Sequence, residues 1–228
     1  MGKLIVIDGL DGSGKATQAE LLYKKLKLEG KNVYKVSFPD YSSKSSTAVN
    51  MYLAGDLGKD ASTLNPYMCG LFYTVDRAIQ FTQHLNAVYN EPDSIIICDR
   101  YLSANIIHQG GKINTLQGKK EYFDWIYDTE VNKVGLPLED ITIVLSLPVE
   151  TSQKLMEKRY NNHNEKKDIH EADTHYLKLC YDTLDTAVEH LQSKGYNWVK
   201  IDCSNTDGDI RPIEDIENDI WIVVKDLV

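Results

Sequence analysis

The sequence predicts an α/β fold: a five-stranded parallel sheet flanked by helices on both faces. Five short runs rich in apolar and β-branched residues, at 3–8, 32–37, 94–99, 141–145 and 198–201, have the length of strands. Helical patterns lie between them. This alternation of strand and helix is the pattern of a parallel sheet covered on both sides.

The first strand, 3–8, leads directly into Gly9-Leu10-Asp11-Gly12-Ser13-Gly14-Lys15. This is the G-x-x-x-x-G-K spacing of a phosphate-binding P-loop, with a strand before it and a helix, 16–29, after it. The glycines let successive N–H groups converge on one hollow, and the helix aims its positive dipole end there. Gly9, Gly12, Ser13, Gly14, Lys15, Ala16 and Thr17 are therefore the candidate ATP-binding residues, with Lys15 a mobile charge over the phosphates. A serine or threonine normally follows the lysine and binds Mg²⁺. Here Ala16 stands there and Thr17 comes one place late, so the backbone cradle survives without the direct hydroxyl contact.

The second strand, 32–37, ends in a turn at Phe38-Pro39-Asp40-Tyr41. Residues 42–47 read as polar loop and 48–54 as a short helix stopped by Gly55. Asn65-Pro66 opens a long helix to about residue 88, with Pro66 suited to a first helical position. The third strand, 94–99, is followed by a helix at 102–109 that Gly110-Gly111 ends. Residues 119–134 carry Tyr122, Trp125, Ile126 and Val134 at helical spacing. After the fourth strand come a helix at 150–159, a very polar stretch at 160–167 and a long helix at 172–194. The last strand is followed by a helix at 212–227, with Ile213, Ile216, Ile220, Val223 and Leu227 along one face.

The 228 residues suit one domain with a full core, and no linker or repeat divides the chain. A net charge of −9 argues against a nucleic acid polymer as the main partner, though not against a nucleotide in a small cationic pocket. Cys69, Cys98, Cys180 and Cys203 have no metal or redox spacing and read as free thiols of a reducing cytosol. The first strand begins at once, leaving no room for a signal peptide, and no apolar run is long enough to cross a membrane. A cytoplasmic protein is expected.

Ligands of such sheets bind at the carboxyl ends of the strands. That rule places the P-loop, Phe38 to Tyr41, and Asp99-Arg100-Tyr101 on one rim. Asp99 is then a candidate Mg²⁺ ligand and Arg100 a candidate phosphate clamp. The segments GLDGSGKATQ at 9–18, Phe38-Pro39, Asp76-Arg77 and DRYLSANIIHQ at 99–109 occur in one order, and the sequence resembles the thymidylate kinase family from residue 3 to about residue 190. That resemblance implies a P-loop NTPase fold, ATP as phosphoryl donor with Mg²⁺, dTMP as acceptor and a homodimer. It also implies residue roles. Asp11 would accept from the sugar 3′-hydroxyl and Phe38 would line the acceptor pocket. Tyr73 would stack on the base, with Phe72 the alternative one place earlier, and Arg77 would bond a base carbonyl. Arg100 would hold the acceptor phosphate, while Asn105 and Gln109 would bond the pyrimidine and the sugar edge.

Besides Ala16, the sequence departs from the family where His108 replaces a usual tyrosine near the sugar 2′ position and Ala104 a common serine. No arginine follows Phe38-Pro39, a place Lys44 or Tyr41 would have to fill. Residues 159–171 read as a lid whose Arg159, Lys166 and Lys167 neutralise charge during transfer, so the catalytic set is Lys15, Asp11, Arg100 and Arg159. A deoxynucleoside kinase, a kinase of another pyrimidine monophosphate and a slow nucleotide switch are the competing readings. The first wants a glutamate at the end of the second strand, where only Asp40 stands; the last would lack the Arg77, Asn105 and Gln109 set.

Overall fold

A computed structural model describes residues 1–163, 169–171 and 173–228, without the side chains of 158–163. Five strands form one parallel sheet: β1 (Lys3–Gly9), β2 (Asn32–Ser37), β3 (Ser94–Asp99), β4 (Ile141–Ser146) and β5 (Trp198–Asp202). Their spatial order is β2-β3-β1-β4-β5. The register pairs Ile7 with Asp99 and Gly9 with Leu145, so β1 runs two residues past the end of β3 and the P-loop leaves from the middle of the rim.

Each central strand is buried on both faces, and alternate residues feed two cores. Ile5 and Ile7 of β1, with Ile95, Ile97, Ile141 and Ile143, pack against α1 (Lys15–Leu28) and α10 (Ile213–Val224). Leu4 and Val6, with Ile96, Cys98 and Val144, pack on the other side against α6 (Leu116–Tyr127), α8 (Thr174–Tyr181) and α9 (Thr183–Ser193). A third, smaller cluster joins Val49, Tyr52 and Leu53 of α2 (Thr47–Leu53) to Cys69 and Tyr73 of α3 (Pro66–Gln80) beside the rim.

Several elements differ from the sequence expectation in how they end. α3 is capped by the Asn65 side chain, with Pro66 first. It then widens into a π-turn at Phe81–Leu85 before α4 (Asn86–Tyr89). The helix after β3 is a single α-turn, α5 (Leu102–Ala104), that opens into a π-turn at Asn105–Gln109. Such turns redirect side chains and recur at functional sites. α7 (Val149–His163) runs four residues past its expected end. The expected helix over 172–194 is two: it is interrupted at Asp182, where Thr183 Oγ1 donates to the Leu179 carbonyl at 2.7 Å. Val134, expected on an apolar helix face, is exposed, because a π-turn at Asp128–Lys133 shifts the face away.

Candidate active site

The P-loop adopts the backbone its glycines permit. Gly12 and Gly14 have φ of 81° and 90°, and a Cβ on Gly12 would come within 2.5 Å of the Ser152 carbonyl oxygen. α1 starts at Lys15 with Gly14 as its N-cap and no side-chain cap, so its first N–H groups are free to meet an anion. Residues Gly12, Ser13, Gly14, Lys15, Ala16 and Thr17 line one depression, whose far wall is Leu155, Ile210, Ile213 and Ile216. That apolar wall suits the flat base of a donor nucleotide, and the sequence reading missed it, since Ile213 and Ile216 read only as the apolar face of the last helix. Gly9 ends β1 outside this lining.

A second cleft adjoins the loop, lined in part by Asp11. It brings together Asp11, Phe38, Tyr73, Arg77, Arg100, Asn105 and Gln109, which come from four separate segments. Phe72 is not among its lining; it packs against Tyr52 at 6.4 Å between ring centroids. Tyr41 lines the cleft and Lys44 does not. Gln109 is fully buried there, and neither its Oε1 nor its Nε2 makes a hydrogen bond of normal geometry. A buried amide with both ends unmet is costly unless a ligand meets it.

Asp11 stands where the two depressions meet. Lys15 Nζ donates to Asp11 Oδ1 at 3.2 Å, and Arg100 Nη2 donates to the same oxygen. Burial alone would raise the Asp11 carboxyl, but the Arg100 and Lys15 charges outweigh it and hold it well below its ordinary range. Arg100 leaves β3 with a left-handed φ of 69°, fixed by its N–H on the Ile7 carbonyl at 3.0 Å. Its Nη1 lies 2.8 Å from His108 Nε2. Burial, then the Arg100 charge, depress the His108 ring to about 3, so it is neutral and accepts from Arg100. Asp8 is buried beneath, taking Ser103 Oγ at 2.6 Å and the Gly9 N–H at 2.8 Å; burial pushes its carboxyl up against the pull of Arg100.

Asp99, the candidate metal ligand, has a buried Oδ1 without a partner. An orphaned carboxylate oxygen at a strand end beside the P-loop fits a hard cation that prefers oxygen. Ala16 is exposed and offers no oxygen from its side chain.

Two further features escaped the sequence reading. Residues 169–171, assigned to a lid over ATP, pack instead on the acceptor cleft: the Ile169 N–H reaches the Leu53 carbonyl at 3.4 Å, and His170 and Glu171 line the cleft. The His170 ring lies 5.6 Å from that of His108, nearly parallel, and its Nε2 is 2.6 Å from the Tyr52 hydroxyl. Arg159 lies outside the residues whose side chains are described, and Lys166 and Lys167 lie outside the described residues altogether. Arg77, expected to face a base carbonyl directly, is almost wholly buried and paired with Glu130. In a helical sequence that glutamate reads as solvent face, and no local signal marks it.

Known proteins resemble this chain in sequence and in fold. A thymidylate kinase family model matches residues 7–194. Thymidylate kinase of Plasmodium falciparum is 26% identical over 221 residues, covering 96% of this chain and 88% of that protein. A probable thymidylate kinase of Methanosphaera stadtmanae is 27% identical over 223 residues, covering 97% and 98%. A solved thymidylate kinase structure from Candida albicans superposes with a TM-score of 0.69 at 21% identity, covering 98% of this chain and 91% of that one, which speaks to the fold. With the phosphate loop, the sheet order and the family match over residues 7–194 in agreement, the chain belongs to the thymidylate kinase family.

Proposed function

We propose that this enzyme transfers the γ-phosphoryl group of ATP to dTMP, giving dTDP and ADP, with the site residues in the roles that follow. The observation that carries the reading is the cleft itself. Seven residues that the family resemblance assigns to acceptor binding converge on one space beside the phosphate loop. In this reading the first N–H groups of α1 and Lys15 hold the donor phosphates. Arg100 exchanges its contact with Asp11 for the acceptor phosphate, freeing Asp11 to accept from the 3′-hydroxyl. Tyr73 and Phe38 give the thymine its apolar surfaces. Positioning two anionic phosphates in line between fixed cations is most of what a phosphoryl-transfer enzyme must do.

Mg²⁺ bound to the nucleotide would neutralise charge on the phosphates, held from the protein side by Asp99. Residues 159–171, with Arg159, Lys166 and Lys167, form the proposed lid of a single-domain chain of 228 residues. The packing of residues 169–171 on α2 supports a lid whose far end is anchored at the acceptor side. A homodimer belongs to the proposal as well. α3 presents Met68, Leu71 and Val75, each more than a third exposed, in a stripe at helical spacing that a second copy would cover. Four free, buried cysteines fit a cytoplasmic setting, and among the described residues no helix is long and apolar enough to cross a membrane.

A deoxynucleoside kinase is not favoured. Its expected base would have to be Asp40, which is not in the cleft lining and is occupied by the Ser42 N–H at 3.0 Å and the Ser42 hydroxyl at 2.6 Å. The test is kcat/KM for dTMP, dUMP, dCMP and UMP with ATP. dTMP should lead, dUMP should follow within about tenfold because it lacks one methyl, and dCMP should fall at least tenfold below dTMP. A preference for dCMP, for a nucleoside or for a purine monophosphate would overturn the reading.

A further inference from the structure

Glu130 does not line the acceptor cleft, yet it orders the residues that do. Its carboxylate is fully buried and takes four hydrogen bonds. Arg77 Nε donates to Oε2 at 2.8 Å, and Arg77 Nη2, Thr74 Oγ1 at 2.8 Å and Asn105 Nδ2 at 3.0 Å all donate to Oε1. Asn105 Nδ2 also donates to the Gly70 carbonyl at 3.1 Å.

This arrangement settles which way the Asn105 amide points. Both of its N–H groups are spent on acceptors that lie away from the cleft. Turning the amide over would set Oδ1 against the Glu130 carboxylate and the Gly70 carbonyl, neither of which can donate. The remaining end, Oδ1, is the acceptor that Asn105 offers the cleft. Arg77 is fixed as firmly. Two nitrogens are committed to Glu130 and Nη1 to the Tyr101 carbonyl at 3.2 Å, leaving one spare proton on each terminal nitrogen. The cleft therefore presents an acceptor from Asn105 and donors from Arg77.

We propose that Glu130 is the positioning residue that decides which pyrimidine edge is accepted. By holding Asn105 with its oxygen toward the ligand and Arg77 beside it, Glu130 makes the site complementary to an N3–H next to a carbonyl. Thymine and uracil carry that edge. Cytosine carries the reverse, an acceptor N3 beside an amino donor, and meets acceptor with acceptor and donor with donor. The discrimination is built by a carboxylate that never touches the substrate. The inference rests on the acceptor reading above and adds the residue that enforces it.

The test compares kcat/KM for dTMP, dUMP and dCMP in the unaltered enzyme, Glu130→Gln and Glu130→Asp, with thermal midpoints for each. Glu130→Gln places a donor among the four donors and lets Asn105 turn. Glu130→Asp keeps the charge facing Arg77 but draws it back from Asn105 by one methylene, and it serves if the glutamine variant does not fold. The expected result is a dTMP-to-dCMP ratio at least tenfold lower, through a higher KM for dTMP and dUMP together and a lower KM for dCMP. A merely structural glutamate would lower all three rates in proportion. A folded variant with the original ratio overturns the inference. Failure of the unaltered enzyme to prefer dTMP overturns the functional reading instead.

Discussion

Asp11 of the phosphate loop and Arg100 at the end of β3 are hydrogen-bonded to each other across the junction of the two depressions. The pair joins residues 89 positions apart and puts one carboxylate within reach of both proposed substrates. Arg100 is held on its other side by neutral His108, so its guanidinium is aimed before any phosphate arrives.

Asp11→Asn removes the charge while keeping an acceptor. If Asp11 accepts from the 3′-hydroxyl, the loss of a charged hydrogen bond, about 1.5–3 kcal/mol, lowers kcat/KM for dTMP by roughly ten- to a hundredfold. A dTMP analogue lacking the 3′-hydroxyl should suffer much less from the same substitution. An equal loss for both acceptors would show that Asp11 acts only through Arg100 and Lys15.

Lys15 Nζ rests on the Leu10 carbonyl at 3.3 Å and on Asp11 at 3.2 Å, half-committed until a phosphate draws it away. Lys15→Ala should leave the fold unchanged by circular dichroism and cut turnover roughly a hundredfold or more, because a preorganised charge on the transferred group is worth several kcal/mol. Near-full turnover would remove the phosphate-loop assignment.

Ala16 is exposed at the start of α1, next to Lys15 of the phosphate loop. Ala16→Ser should preserve activity and lower the Mg²⁺ concentration for half-maximal rate. A large loss of activity would show that the alanine is sterically required.

His108 and His170 are both held neutral by burial, His108 down to about 3. A folded value below the unfolded one, near 6.5, means the unfolded chain binds the proton first. The stability due to a neutral His108 is complete above pH about 6.5 and is lost as pH falls toward 3, at about 1.4 kcal/mol per pH unit. Asp8 and Glu139, whose carboxyls are raised by burial, pull the opposite way in part of this range. The difference between the unaltered protein and His108→Gln isolates the histidine. The variant's thermal midpoint should fall less steeply from pH 6.5 to 4.5, and parallel curves would exclude a buried neutral His108.

The sequence by itself determined the sheet, the phosphate loop and the kinase family. These features are local: a β-branched run, a glycine spacing and a capped helix are each encoded by neighbouring residues, and 32–37 and 94–99 were legible to the residue. It also named residues of the acceptor cleft through the order of their motifs. What only the tertiary structure decided is how those residues are held. Glu130 meets Arg77 across 53 positions and Asn105 across 25, so no window of sequence contains the pair. The π-turn at Asn105–Gln109 redirects two readers that a regular helix would aim differently. Residues 169–171 read as the end of a lid over the donor, yet His170 is buried against Tyr52 and His108. Buried polar side chains must find partners wherever the fold puts them, and the partners are chosen by packing rather than by proximity along the chain.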